Sequence, residues 1–329
     1  MTLLQRFRIA ASVQWSKGLL VGLSALFFVA LTYTWLQDLT VDAVVAIGLS
    51  AALFLGSFRI GLWVVRGVQW RIVIEPPDEP VPPHWEEIIR RNVPLAGRLT
   101  TDSFQRLLKL VQAFLRKKNF EGANGFEVTD EVRVTIAAHA ALLLLRLDVG
   151  LFPGLHTVIV YPEAFVGSSK EHGRRTATFG ESWSFGTVVL SWDSVLHGAF
   201  DPKDGQNVAV HEFAHQLDQA TGSTNGTPIG LPLSAVRPWA AVLGRNFNRL
   251  RNDARKGRRS VMDHYGAKNR AEFFAVATET FLEKPQQLRK YDPDLYETLV
   301  GFYGWDPIKE LVERTSQPRE TREAGGDVR

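Results

Sequence analysis

Two histidines four residues apart enclose a glutamate in the stretch His211–His215, an HExxH pattern. Residues 204–207 offer a helix start, and residues 208–218 carry a helical apolar pattern. On a helix this spacing stacks both imidazoles on one face, where they can hold a single zinc ion. Glu212 lies about 100° round the helix from His211, so it can reach a water at the metal without binding the metal. The pattern predicts metal-assisted hydrolysis, and the alternative is a surface helix that carries these residues by chance.

A catalytic zinc site needs a third protein ligand and an open position for water. The chain has no cysteine, so that ligand must be His, Asp or Glu. Glu272 is the best candidate, in the first turn of a predicted helix that Asn269 can cap. The alternative for Glu272 is one half of a capping box with Asn269. Glu279, two turns further on the same face, is a rival ligand or a side chain that orients one, and Asp218 is expected to orient a ligand histidine through its second ring nitrogen.

Composition excludes several classes of protein. The chain has 329 residues, a net charge of +3 and a pI near 9.1, without a basic domain. It therefore lacks the footprint of direct nucleic-acid binding. The absence of cysteine excludes disulfides and thiolate metal sites.

Two apolar runs, 19–36 and 41–58, each have 18 residues, the lower end of what spans a bilayer. Residues 1–75 are therefore predicted to form a transmembrane helical hairpin. The connector 37–40 has no Lys or Arg, whereas basic residues flank both runs, at Arg6, Arg8, Lys17, Arg59, Arg66 and Arg71. The positive-inside rule then places the protein in the inner membrane with its catalytic domain in the cytoplasm. The alternative is a cytoplasmic protein in which both runs are buried core helices.

The remaining chain reads as one domain of mixed structure, α+β. A proline-rich linker is expected at 76–83, the domain at 84–313 and a disordered tail at 314–329. His139 lies inside an apolar helix and is expected to be a hydrogen-bonded core histidine. Helices are predicted at 102–118, 130–147, 208–218, 237–251 and 270–283, and strands at 157–161 and 187–192.

The domain resembles the peptidase family of the Mlc titration factor A proteins over roughly seventy per cent of the chain. The resemblance implies a zincin-like metallopeptidase domain, mostly helical with a small sheet, that binds one zinc ion. It leaves out the apolar N-terminus. The motifs that carry it, in the family's order, are Asn124–Glu127, Val158–Pro162, Gly180–Trp183, Val188–Trp192, His211–Asp218, Ala271–Val276 and Phe302–Pro307.

The resemblance implies roles at matching positions. His211, His215 and Glu272 match the zinc ligands, and Glu212 matches the general base. Tyr265 matches an active-site tyrosine whose phenol could hydrogen-bond the oxyanion, where the alternative is a tyrosine packed beside a loop. 

His172 also matches a family histidine near the metal. As a fourth ligand it would close the site unless it moves aside, so it would mark a latent state or a substrate contact.

Two functions follow from the resemblance. The first is aminopeptidase-like cleavage of short peptides, with the strand 187–192 pairing with the extended substrate backbone. The second is a regulatory binding protein that sequesters a transcriptional repressor of sugar-uptake genes, with peptidase activity secondary or latent. A complete ligand set with Glu212 beside it favours the enzyme, because a binding module has no need of this glutamate. The expected partners are thus a peptide substrate, a transcriptional repressor and, through the hairpin, the membrane.

Overall fold

The computed structural model describes residues 51–59, 79–163, 186–200 and 205–311. The chain divides into two compact units, Met1–Ile72 and Val73–Arg329. The helices of the second unit are α1 Pro83–Asn92, α2 Thr101–Lys117, α3 Asp130–Leu143, α4 Trp192–Phe200, α5 Val208–Gln219, α6 Leu233–Arg255, α7 Arg270–Glu283, α8 Pro285–Tyr291, α9 Pro293–Tyr303 and α10 Pro307–Glu310. Its strands are β1 Asn119–Gly122, β2 Thr157–Tyr161 and β3 Thr187–Ser191, and 3₁₀ turns lie at Ala96–Arg98 and His264–Ala267.

The three strands form a parallel sheet in the order β1-β2-β3. Parallel neighbours require a crossover, and helix α3 supplies it between β1 and β2. Alternate residues of β2 are buried, with Val158 and Val160 fully enclosed. In β3, Val188 and Leu190 face the same interior. One face of the sheet therefore closes over the helical core.

Helices α3, α5 and α7 form the centre of the domain. Helix α5 packs against both α3 and α7. Nearly every side chain of α3 and α7 is buried, which is the pattern of helices enclosed on all sides. Behind α5, the ring of Phe213 packs 5.7 Å from that of Phe114 and 5.2 Å from that of Phe152. The apolar back of α5 is thus fixed in the core, which leaves its polar face to meet α7.

The coarse fold prediction is confirmed: the domain is mostly helical with a small sheet. The predicted helix 130–147 ends earlier, at Leu143, because the chain turns there and the Leu145 carbonyl accepts a hydrogen bond from the Arg106 guanidinium. Helix α6 begins four residues earlier than predicted and continues through Pro238. The remaining predicted helices and strands are found within a residue of their expected bounds.

The prediction of an inner-membrane protein with a cytoplasmic catalytic domain is wrong. In the part of the chain that the structure describes, no helix is long and apolar enough to cross a bilayer. The predicted span 19–36 and most of 41–58 lie outside the described residues.

Other expectations also fall partly outside the described residues. The linker 76–83 is described from Glu79 onwards, and its last residue, Pro83, begins helix α1. The predicted tail 314–329 lies outside the described residues.

His139 is the buried core histidine that the sequence predicts. Its side chain is almost fully enclosed, and its Nδ1 donates to the Thr135 carbonyl oxygen at 2.9 Å. Burial lowers the pKa of His139 to about 4, against a weaker opposing effect of that hydrogen bond. The folded state therefore holds this ring in its neutral form.

Replacing His139 with glutamine should remove a source of acid sensitivity. As pH falls from about 6.5 towards 4, the unfolded wild-type chain binds a proton at this ring that the folded chain excludes. The free energy of unfolding of the wild type should therefore fall relative to His139→Gln, by up to about 1.4 kcal/mol per pH unit. Urea unfolding across this range measures the difference. The control is His197→Gln, at an exposed position on α4; equal pH slopes for His139→Gln and wild type would contradict the prediction.

Candidate metal centre

Helix α5 carries His211, Glu212 and His215 in its middle turns. Asn207 is the N-cap, and its side-chain oxygen accepts the amide of Val210 at 3.0 Å. The imidazole centroids of the two histidines lie 4.7 Å apart with the rings at 83° to each other. His211 is buried and His215 is partly buried. The predicted stacking on one helix face is what the structure contains.

Glu272 completes a triangle of ligand atoms. Its Oε2 lies 3.0 Å from His211 Nε2 and 3.3 Å from His215 Nε2, and the two nitrogens are 3.1 Å apart. Tetrahedral zinc with bonds of about 2.0–2.1 Å separates its ligand atoms by about 3.4 Å. The three side chains therefore fit one metal ion, and among the described residues they are the group with metal-binding geometry.

Hydrogen bonding around His211 fixes which of its nitrogens is free to bind a cation. Its Nδ1 lies 2.6 Å from Oε1 of Glu279, a fully enclosed carboxylate that can only accept. Nδ1 therefore carries the proton, and Nε2 of the neutral ring offers a lone pair towards Glu272. Two electron-rich atoms at 3.0 Å need a cation between them. A carboxylate on the far nitrogen is the usual way to orient a metal-binding histidine.

The pKa shifts in the absence of a metal reflect the same demand for positive charge. Burial lowers the pKa of His211, but the charge of Glu279 and hydrogen bonds with Glu272 and Glu279 outweigh it and raise the value to about 9. Burial raises the pKa of Glu272, but hydrogen bonds with both histidines hold it well below its usual range. The carboxylates around His211 therefore favour positive charge at this position, and the two histidines favour the ionised form of Glu272.

Glu212 differs from Glu272 in its surroundings. Its side chain is partly buried, and the described residues form no hydrogen bond with its carboxylate. Burial raises the pKa of Glu212, opposed by the charges of His215 and His211. A carboxylate with a raised pKa beside a metal site is suited to accept and return a proton.

Tyr265 lies at the edge of the same site. It belongs to the 3₁₀ turn His264–Ala267, where the Asp263 carboxylate accepts the Tyr265 amide at 2.8 Å. Its ring centroid is 6.0 Å from that of His211, and the ammonium of Lys268 is 5.4 Å from the Tyr265 ring centroid. The ring of Tyr265 therefore lies beside the ring of His211, and its predicted contact with the oxyanion stays a prediction.

Asp218 has a different role from the one predicted. Its buried carboxylate accepts the backbone amides of Gly226 at 2.8 Å and Thr227 at 2.9 Å. It tethers the loop that follows α5 and does not hydrogen-bond a described histidine. Burial raises its pKa, opposed by these two amides. The orienting role predicted for Asp218 is filled by Glu279 at His211.

Two residues remain: the structure does not describe His172, and it gives Asn207 a contact that the sequence did not predict. His172 falls outside the described residues. The sequence indicates Asn207 only as part of a helix start. In the structure its backbone amide donates to Oε2 of Glu279 at 2.6 Å. The only available signal was a capping residue four positions before His211, which is too common to indicate a role at the metal.

Replacing Glu272 with alanine should abolish stoichiometric zinc binding, because one of three converging ligand atoms is lost. Glu279→Gln should keep the ligands but weaken zinc affinity about 10–100-fold, because it loosens the orientation of His211. Elemental analysis after gel filtration measures the first effect and chelator competition the second. The exposed Glu297→Gln is the control. Full zinc retention in Glu272→Ala would show that Glu272 is not the third ligand.

Comparison with known proteins agrees with this arrangement. The sequence pattern of the glucose-regulated metallo-peptidase M90 family matches residues 68–304. An uncharacterized protein of Synechocystis sp. is 38% identical over 238 residues, which cover 70% of this chain and 86% of the relative. Mlc titration factor A of Pectobacterium atrosepticum is 32% identical, covering 69% of this chain and 88% of the relative, and that of Escherichia fergusonii is 32% identical, covering 72% and 91%. The predicted resemblance is confirmed, and the chain belongs to the glucose-regulated metallo-peptidase M90 family.

Proposed function

We propose that this protein is a zinc-dependent peptidase of zincin type that cleaves short peptides in an aminopeptidase-like manner. The observation that carries the proposal is the convergence of His211, His215 and Glu272 within 3.0–3.3 Å of one another. Membership of a metallo-peptidase family supports the reaction class. The aminopeptidase-like preference rests on the family resemblance alone.

The ligand set fits zinc because it combines two imidazole nitrogens and one carboxylate oxygen and contains no thiolate. Zinc in such a site supplies a Lewis acid and lowers the pKa of water towards about 7. His211, His215 and Glu272 would hold the ion. Glu279 fixes the ring of His211 through Nδ1, so that the nitrogen facing the ion keeps its lone pair.

Glu212 is the residue that moves the proton. In the proposed reaction its carboxylate takes a proton from the attacking water and later gives it to the amine that leaves. Its pKa is raised, mainly by burial, which makes the carboxylate a stronger proton acceptor. Glu212 projects from the same helix as the two histidines, so its position relative to them is fixed by the backbone.

Tyr265 and β3 would position the substrate. In the proposed reaction the phenol of Tyr265, whose ring lies 6.0 Å from that of His211, would donate to the developing oxyanion. Strand β3 contacts α5 and, among the described strands, pairs only with β2. Its other edge could add an extended peptide as a further strand.

Glu212→Gln in the full chain should lower kcat/KM for chromogenic aminoacyl and short peptide substrates about 10²–10⁴-fold. The amide keeps the size of the side chain but cannot accept the proton, and it is not among the zinc ligands. Initial rates normalised to bound zinc measure the effect. The control is Glu163→Gln, outside the metal-ligand group.

Two results would contradict the proposal. Wild-type protein with stoichiometric zinc and no activity on any of these substrates would argue against a peptidase. Equal activity in wild type and Glu212→Gln would remove Glu212 from the role of base.

A second candidate function is binding of the repressor Mlc, because relatives matched over 88% and 91% of their own length are named Mlc titration factor A. Under this candidate the chain sequesters a repressor, and binding does not require the proton transfer by Glu212. Purified Mlc from Escherichia fergusonii should then bind wild type and Glu212→Gln with equal affinity in calorimetry. Absence of binding to either protein would count against this candidate.

A further inference from the structure

We infer that Asn207 is a positioning residue of the metal centre. Its backbone amide and its side-chain amide join the start of helix α5 to two buried carboxylates of α7, and this arrangement fixes the ring of His211. The inference rests on the proposed metal site. It assigns a role to a residue that is not itself a ligand and does not touch the reacting atoms.

Asn207 forms bonds to both helices from one buried position. Its Oδ1 accepts the amide of Val210 at 3.0 Å, the usual contact of an N-cap. Its Nδ2 donates to Oε1 of Glu283 at 3.1 Å, and its backbone amide donates to Oε2 of Glu279 at 2.6 Å. All three side chains, Asn207, Glu279 and Glu283, are buried.

These bonds reach His211 by two routes. The carbonyl of Asn207 accepts the amide of His211 at 2.8 Å, which is the first helical bond of α5. Glu279 receives the Asn207 amide on one carboxylate oxygen and the Nδ1 proton of His211 on the other, at 2.6 Å each. Asn207 therefore positions the backbone of His211 directly and its imidazole through Glu279.

The chemistry of the contacts selects asparagine. Serine, threonine, aspartate and asparagine can all accept the amide of a capped helix. At this position the side chain also donates to Oε1 of Glu283, a role that the accepting oxygen of a cap cannot fill. An ionised aspartate has no donor. A hydroxyl can accept and donate at once, but its single oxygen would have to lie within bonding distance of both the Val210 amide and the Glu283 carboxylate. A short amide accepts on one atom and donates from the other.

Asn207→Asp in the full chain tests the inference. The substitution keeps the cap, but it sets a carboxylate against Glu283 in place of a donor. The resulting repulsion pushes residue 207 away from α7, which weakens the bond from its backbone amide to Glu279 and with it the hold of Glu279 on the His211 ring. Zinc affinity of the folded protein should fall about 10–100-fold, the range typical when a group that orients a ligand is lost. Competition with a chelator of known affinity measures zinc binding without any need for activity, and thermal melting followed by circular dichroism measures stability separately.

Asn246→Asp is the matched control. Asn246 is also a buried asparagine whose Nδ2 donates to a carboxylate, that of Asp294, at 3.4 Å, and to the Val242 carbonyl at 3.0 Å. It lies on α6 and has no contact with the metal ligands. Arg249 also donates to Asn246 Oδ1, so an aspartate here keeps a charged partner. The Asn246→Asp substitution should leave the zinc dissociation constant within about twofold of wild type, whichever way the melting temperature moves.

A reversed pair tests the contact with Glu283. In Asn207→Asp combined with Glu283→Gln, the carboxylate stands on α5 and the amide on α7, so the donor and acceptor are exchanged. Zinc affinity should return to within a few-fold of wild type. A double variant as weak as Asn207→Asp alone would overturn the assigned pairing.

The remaining outcomes separate this inference from the proposed function. Wild type that binds zinc together with Asn207→Asp of equal affinity would overturn the positioning role and leave the metal site intact. An equal loss of affinity in Asn207→Asp and Asn246→Asp would also overturn it, because general destabilisation would then explain both. A wild-type chain that takes up no zinc would remove the metal site itself, and the inference with it.

Discussion

The architecture of this site depends on one imidazole held between two carboxylates of the same helix. His211 meets Glu279 through Nδ1 and Glu272 through Nε2, at 2.6 and 3.0 Å. The two glutamates are seven residues apart, about two turns or 10 Å along α7. Both contacts are possible only in one register of α7 against α5. A shift of α7 by a single turn would remove both partners of the ring at once.

Both ends of this helix pair are tied by polar bonds. At the start of α5, Asn207 bonds the carboxylates in the second half of α7. At its end, Asp218 holds the amide of Gly226, whose carbonyl accepts the indole N–H of Trp239 at 2.8 Å. Gly226 has φ of 77°, and a Cβ there would stand 2.7 Å from the carbonyl oxygen of Arg270, the first residue of α7. A glycine lets the loop cross the start of α7 closely, near Glu272, so the register is fixed at both ends.

The sequence predicted the parts of this site that follow from regular spacing. His211, His215 and Glu212 depend only on the helical period, and Glu272 on a capped first turn. Glu279 orients His211, which is one of the two roles that the sequence offered for it. The contact of Asp218 with the loop could not be foreseen in this way. Asp218 has the spacing to face a histidine, but its carboxylate accepts the amides of Gly226 and Thr227, eight and nine residues later in a loop. Loop geometry leaves no periodic pattern in the sequence that would predict these bonds. Contacts between helices far apart in sequence, such as Asn207 with Glu283, depend on packing that no local pattern specifies.

Glu272 and Glu212 have pKa values shifted in opposite directions because their hydrogen-bond partners differ, and not because one of them is buried and the other is not. Burial alone would raise the pKa of each of them. Glu272 escapes this effect because two imidazoles donate to it or share a cation with it, which keeps it charged as a ligand must be. For Glu212, burial outweighs the longer-range charges of His215 and His211, and the charges of Glu272 and Glu279 act in the same direction as burial, so its pKa rises. Neighbouring acids with pKa values displaced in opposite directions are typical of a site that needs one fixed anion and one proton acceptor. Because Glu272 comes from α7 and Glu212 from α5, the docking of these two helices sets the electrostatic difference as well as the geometry.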